Sequence, residues 1–187
     1  MAYNVVETTN MYGSKCLSFQ ATEDIENGFL VAKGDLVTGE KEIYTVSAPT
    51  TSDEVYLVAN PAWSYDDFAT AQNEENFINK AGVAFRGYQL KKDNKFKVYS
   101  TGITAEKELK VGQFITVDGS TYKPKAVDEK PETGFVGKIV DIEEFGFPYC
   151  VGSLGKLVEI GSEPKESMGH AVDTRVTKVT IEVVKNM

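Results

Sequence analysis

The sequence predicts an all-β protein, a compact barrel or sandwich of about ten short strands. Three observations predict it. Short apolar or alternating runs are separated by turn signals roughly every 8–12 residues, the spacing of sandwiches and barrels. Nine Tyr and ten Phe accompany many Val and Thr, residues that fit a pleated, half-buried surface. The glycines punctuate these runs instead of opening helices. One irregular, partly helical excursion at 61–80 interrupts the pattern. Residues 1–20 read as an N-terminal arm or edge strand. Residues 21–187 read as a single β-rich domain, with 161–187 a loop and C-terminal strand.

The organising stretch is Ile25 to Val46, read as three short strands with turns at Gly28, Gly34 and Gly39. Glycine takes positive φ without steric cost, so it marks tight turns. A related corner returns at Gly112, followed by an Asp118-Gly119 hairpin turn joining Phe114–Val117 to Thr121–Lys123. Before the first module, Tyr3 to Glu7 forms a strand, Thr8 to Ser14 a loop or arm, and Leu17 to Ala21 a short strand. After it, Asp53 to Ala59 is the most continuous apolar run of the first half and fits a central strand buried on both faces. Asn60-Pro61 stops it, because Pro cannot continue a ladder.

Within the excursion, Ser64 or Asp66 caps a short helix beginning near Asp67. Trp63, Tyr65, Phe68 and Phe77 lie in this excursion. Two readings stand side by side: these rings cover one edge of the core, or they form a partner-binding loop. Val83 to Leu90 and Lys95 to Ser100 then make a hairpin, with Asp93-Asn94 tolerating the left-handed turn. Pro124 to Thr133 is a solvated loop and Phe135 to Ile142 a strand. Phe145 to Cys150 is a broken aromatic connection, Lys156 to Ile160 a strand, and Gly161 to Gly169 a polar loop. Arg175 to Val184 is the last strand, with Val179, Ile181 and Val183 on one face, tied into its own sheet or a neighbour's.

Length and charge bound the function. A chain of 187 residues buries roughly 70% of its unfolded surface and needs no staples. The net charge of −8 and only two Arg argue against nucleic-acid binding, which needs clustered cations. Self-repulsion of an acidic surface favours solubility. The N-terminus lacks a basic region followed by an apolar run, so no signal peptide is expected. No apolar run approaches the roughly 20 residues of a membrane span. Synthesis in a cytoplasm is the expectation. Cys16 and Cys150 are too few for a disulfide framework and read as two thiols in a reducing compartment, with a single bridge between them as the alternative.

Chemistry is sparse. His170, the single histidine, would have to serve any Ser/His/Asp or Cys/His catalysis, and a lone loop histidine is the ordinary case. Zinc spacing and a phosphate loop are missing. The acidic pairs Asp66-Asp67, Glu74-Glu75 and Glu143-Glu144 suggest glycosidase or Ca²⁺ chemistry only weakly. Adjacent acids on a strand point to opposite faces, so they read as solvated surface. The expectation is therefore a protein with no enzymatic activity, no cofactor and no metal. Arg86 is the one charge in a strongly apolar strand, and Asp66 or Asp67 is its expected partner, pinning the excursion structurally.

Three stretches carry a resemblance: Ile25-Glu26-Asn27-Gly28 through Gly34-Asp35-Leu36-Val37 with Gly39-Glu40; Ala59-Asn60-Pro61 with Tyr65-Asp66; and Phe77 through Ala84-Phe85-Arg86-Gly87-Tyr88-Gln89-Leu90. Together they resemble a family of small proteins encoded in the head-gene clusters of tailed phages and prophages, mostly of low-GC Gram-positive hosts. The resemblance covers roughly residues 20–160. It implies a virion structural role: a head decoration, or cement, protein on the outside of the capsid shell, with the major capsid protein as partner. It also implies a homo-oligomer, with a trimer favoured, that uses a terminal arm or strand for contact. The charged segment 124–133 and the tail 161–187 depart from the family pattern. The expected partner-binding residues are Tyr3, Tyr12, Trp63, Tyr65, Phe68, Phe77, Val179, Ile181 and Val183. The alternative is a β-rich tail or baseplate accessory module whose Trp63 and Tyr65 stack on host-surface carbohydrate.

Overall fold

The computed structural model describes residues 4–62, 74, 77–145, 148–152, 157–159, 168–173 and 176–187. For 148–152, 157–159, 168–173 and residue 9 it describes the backbone alone.

The protein is all-β. Strands β1 (Val6–Asn10), β2 (Cys16–Gln20), β3 (Leu30–Leu36), β4 (Ile43–Ser47), β5 (Val55–Val58), β6 (Ala84–Gln89) and β7 (Lys95–Tyr99) make the first half. A one-turn 3-10 helix, Ser100–Gly102, follows. The second half holds β8 (Phe114–Thr116), β9 (Lys125–Val127), β10 (Val136–Phe145), β11 (Pro148–Gly152), β12 (Leu157–Glu159), β13 (Met168–Asp173) and β14 (Val176–Lys185). Five strands close a barrel in the order β2-β4-β3-β5-β6. Its β2–β4 pair is parallel and its other pairs are antiparallel. Six strands form a sheet in the order β1-β7-β14-β10-β8-β9, and β12-β11-β13 form a small third sheet. The β10–β14 ladder ends at Phe145↔Val176, and the β11–β13 ladder begins at Pro148↔Asp173. Three residues forward on one side match three back on the other, so the two ladders keep step.

The barrel and the six-stranded sheet share a core through β3 and β5. Successive strand side chains point to opposite faces. Leu30, Val55 and Leu57 face Phe96, Val98, Ile115, Ile139, Val179, Ile181 and Val183 of the sheet. Val31, Tyr56 and Val58, one residue out of phase, face Phe19, Ile25, Phe29 and Phe85 inside the barrel. All four residues of β5 are buried, as expected of a strand covered on both faces.

Several expectations change. Gly34 is no turn; it lies inside β3, where a register shift separates Lys33 from Leu36. An added Cβ there would stand 2.4 Å from Thr45 Oγ1, so close strand approach, not positive φ, selects glycine. Ile25 to Val46 therefore holds two strands, not three. Gly28 and Gly39 do take positive φ, at 84° and 88°. Gly112, at φ 96°, precedes β8 of the open sheet and is not a barrel corner.

The first strand starts later than expected, because Val6 and Glu7 pair with Val98 and Lys97 of β7. The return strand after Asp118-Gly119 is Lys125–Val127, inside the segment expected to be a solvated loop, with Phe114 opposite Val127. Strands β11 and β13 occupy parts of stretches expected to be a broken connection and a loop. His170 accordingly lies on a strand. Gly and Pro at these places hid the strands, since such residues are tolerated at edges and ends. Most of the 61–80 excursion, including Ser64, Asp66 and Asp67, lies outside the described residues.

Candidate functional site

The clearest contact surface is the β1–β2 loop. It crosses from the sheet to the barrel and carries Tyr12, which is 77% exposed. The loop is held from beneath by Asn94, itself buried in the β6–β7 turn. Asn94 Nδ2 donates to the Tyr12 carbonyl at 3.2 Å, and its Oδ1 accepts from Ser14 Oγ at 2.9 Å and from the Lys91 amide at 2.8 Å. That turn bends through Asp93 at φ 69°, a conformation Asp tolerates better than most residues. Val183 of β14 clamps it by two backbone hydrogen bonds, accepting from Asp93 and donating to Asn94. Met11 packs onto the shared core. Tyr12 is thus a large ring on a fixed backbone, so binding through it orders few extra groups.

The other expected contact residues fare differently. Val179, Ile181 and Val183 are fully buried in the protein's own core, so their side chains are not a partner surface; β14 is tied into its own sheet between β7 and β10. Phe77 is half-buried and lines a depression of about 320 Å³ with Pro61, Ile78, Val83 and Arg86. Tyr3, Trp63, Tyr65 and Phe68 lie outside the described residues.

Arg86 is exposed on the outer barrel face, opposite Ser18 of β2. Among the described residues no carboxylate forms an ion pair with it; its expected partner Asp66 is not among them. Cys16 and Tyr88 are also directly opposite one another on this face. Burial pushes the Tyr88 hydroxyl above its ordinary range, the Cys16 thiol adds to this, and the Arg86 guanidinium opposes it. Cys16 is an exposed free thiol.

Sequence reasoning missed the buried asparagines. Asn27 Nδ2 donates to the Asn60 carbonyl at 2.9 Å, and its Oδ1 accepts from the Asn60 amide at 3.0 Å. Asn79 Nδ2 donates to the Ile25 carbonyl at 3.0 Å and to Asn27 Oδ1 at 3.1 Å. Asn4 receives its own clearance from two glycines: a Cβ on Gly28 or Gly102 would lie 2.3 or 2.0 Å from Asn4 Nδ2. Asn4 Oδ1 accepts from the Tyr99 amide at 2.8 Å. Asn27 stands beside Gly28 and Asn79 in the excursion, where each looks like an ordinary turn residue, while Asn4 falls inside the stretch expected to be a strand. No local signal marks the ones that are buried.

Among the described residues no group of three or more His, Cys, Asp or Glu is placed to hold a metal, and no helix is long and apolar enough to cross a membrane. The fold and this surface define a class: an all-β protein in which a small closed barrel shares its core with an open sheet and displays a fixed aromatic loop. Comparison with protein-family models, with curated proteins and with solved structures found no match.

Proposed function

We propose that this protein is a virion structural component that binds the outside of a phage major capsid shell and stabilises it as a homo-oligomer. The observation that carries the proposal beyond the sequence resemblance is Tyr12, exposed on a loop locked by Asn94. Rigid aromatic anchors dominate protein interfaces. The edge strand β1 leads directly into that loop, so strand pairing and ring burial are available at one place. The acidic net charge keeps unassembled copies apart in solution.

The test mixes the purified protein with undecorated capsids. Saturable binding and a raised capsid Tm are expected, with Tyr12→Ala weakening binding by about 2 kcal/mol, the size of an interface hot spot. Absence of binding by the native protein sinks the proposal. Unchanged affinity of Tyr12→Ala removes the Tyr12 loop from the interface.

A further inference from the structure

We infer that the end of the six-stranded sheet where β14 finishes is a docking surface for an acidic segment of a protein partner. Four lysines meet there. Lys92 comes from the β6–β7 turn, Lys130 from the β9–β10 connection, Lys138 from β10 and Lys185 from the end of β14. All four are exposed. They line two adjoining depressions, of about 600 and 360 Å³, that share Lys92, Lys130 and Val184.

The pairing of the sheet's lysines sets this end apart. Nearer the middle of the sheet, Lys95 pairs with Glu182 at 3.8 Å, Lys97 with Glu143 at 2.9 Å, and Lys178 with Glu7. Among the described residues none of the four end lysines forms an ion pair with a carboxylate. Lys185 Nζ donates only to the main-chain oxygen of Glu132, at 3.3 Å. Gathering ammonium groups that lack a carboxylate ion pair, and that outnumber the carboxylates around them, in concave surface raises the local positive potential. In a chain of net charge −8, such a place attracts an anion that the rest of the surface repels.

The chemistry of the walls chooses the occupant. Phe114, Pro131 and Val184 supply a half-buried apolar floor. Asp93, Glu132 and Glu182 stand among the lysines. A nucleic-acid backbone carries a charge at every link and meets these carboxylates unavoidably. An extended peptide places successive side chains about 3.3 Å apart on alternating faces. It can therefore set carboxylates on the lysines and apolar groups on the floor while avoiding the acids. This inference does not depend on the capsid proposal, and its test uses the protein alone.

The probe is a fluorescein-labelled peptide, Asp-Glu-Leu-Gly repeated three times, followed by fluorescence anisotropy at low salt. An oligothymidylate of equal charge is run beside it. One variant carries Lys92→Gln, Lys130→Gln, Lys138→Gln and Lys185→Gln together. The control variant, with the same loss of charge, carries Lys33→Gln, Lys41→Gln, Lys80→Gln and Lys123→Gln, all on the barrel side of the molecule. The peptide is expected to bind the native protein, to weaken about tenfold or more in the first variant, and to change by less than about threefold in the control, where the lost charges act only at long range. The inference is overturned by no binding to the native protein, by equal losses in the two variants, or by oligothymidylate binding as tightly as the peptide.

Discussion

The barrel interior and the seam between barrel and sheet are both fully buried, yet they are filled with different side chains. Inside the barrel, rings meet rings. Phe19 packs edge-on against Tyr56, with centroids 5.3 Å apart and planes at 68°, and contacts Phe85 and Tyr44 at 6.3 and 6.4 Å. At the seam, branched aliphatics dominate: Val98, Ile115, Ile139, Val179, Ile181 and Val183. A narrow closed barrel leaves a small, curved interior that a few large side chains fill, and tilted rings suit it. Two facing sheets need many side chains of similar height, and β-branched residues supply them. Glycine completes the barrel: a Cβ on Gly87 would lie 2.6 Å from the Phe19 ring. The two cores are still not separate, because β3 and β5 send alternate residues into each.

The strongest probe of this contrast is truncation. Phe19→Ala empties the barrel's centre and should cost about 3–5 kcal/mol, while Ile181→Ala at the seam should cost about 2–5 kcal/mol. Because β3 and β5 belong to both cores, each variant should lower the whole protein's denaturation midpoint in one transition. Near-UV circular dichroism of the tyrosines and far-UV signal from the strands should coincide. Two separated transitions would show that barrel and sheet unfold independently.

A smaller effect is expected where the sheet is fastened to the barrel. Asn186 imitates a strand residue at the end of β14. Its Oδ1 accepts from the Val55 amide at 3.1 Å, and its Nδ2 donates to the Val55 and Leu90 carbonyls at 3.0 and 2.7 Å. Asn186→Ala should destabilise by about 1–3 kcal/mol, since it takes the partner from the Val55 amide and the Leu90 carbonyl, while the Val55 carbonyl keeps the Leu90 amide. Amide hydrogen exchange at Val55 should accelerate by more than exchange at Val98; equal acceleration would argue against a local fastening.

The mildest test uses pH. Burial, and then the hydrogen bond that Tyr56 Oη donates to Glu54 Oε2 at 2.8 Å, push the Tyr56 hydroxyl up to about 12. The unfolded chain releases this proton near 10. The folded state therefore holds a proton that the unfolded state loses between those values. This contribution is complete below about pH 10 and fades as pH rises towards about 12. Tyr56→Phe should flatten the alkaline fall in stability. An unchanged alkaline limb, followed by Tm against pH, would assign that fall to other groups.

Much of the fold was legible because alternation is local. Asp53 to Ala59, Lys95 to Ser100 and Arg175 to Val184 each declared a strand; Asp93-Asn94 declared a turn, but not the expected hairpin, because β6 pairs with β2 and β5 of the barrel and β7 with β1 and β14 of the sheet. The site was far less legible. Tyr12 looked like one loop aromatic among several, and only the pairing of its loop with Asn94, some eighty residues away, distinguishes it. Val179, Ile181 and Val183 showed the periodicity of a buried face but not whose core would bury it.

By itself, then, the sequence determined that this chain forms strands, where most of them lie, and that glycine is needed at Gly28 and Gly39 for positive φ. These follow from steric preferences and hydrophobic spacing within a few residues. Tertiary structure decided that five strands close while six stay open, and that Gly34 answers to Thr45 across a strand pair. It also decided that asparagines go inside and that four lysines scattered along the chain meet at one end. Those outcomes depend on contacts between residues far apart in sequence, which no local pattern encodes.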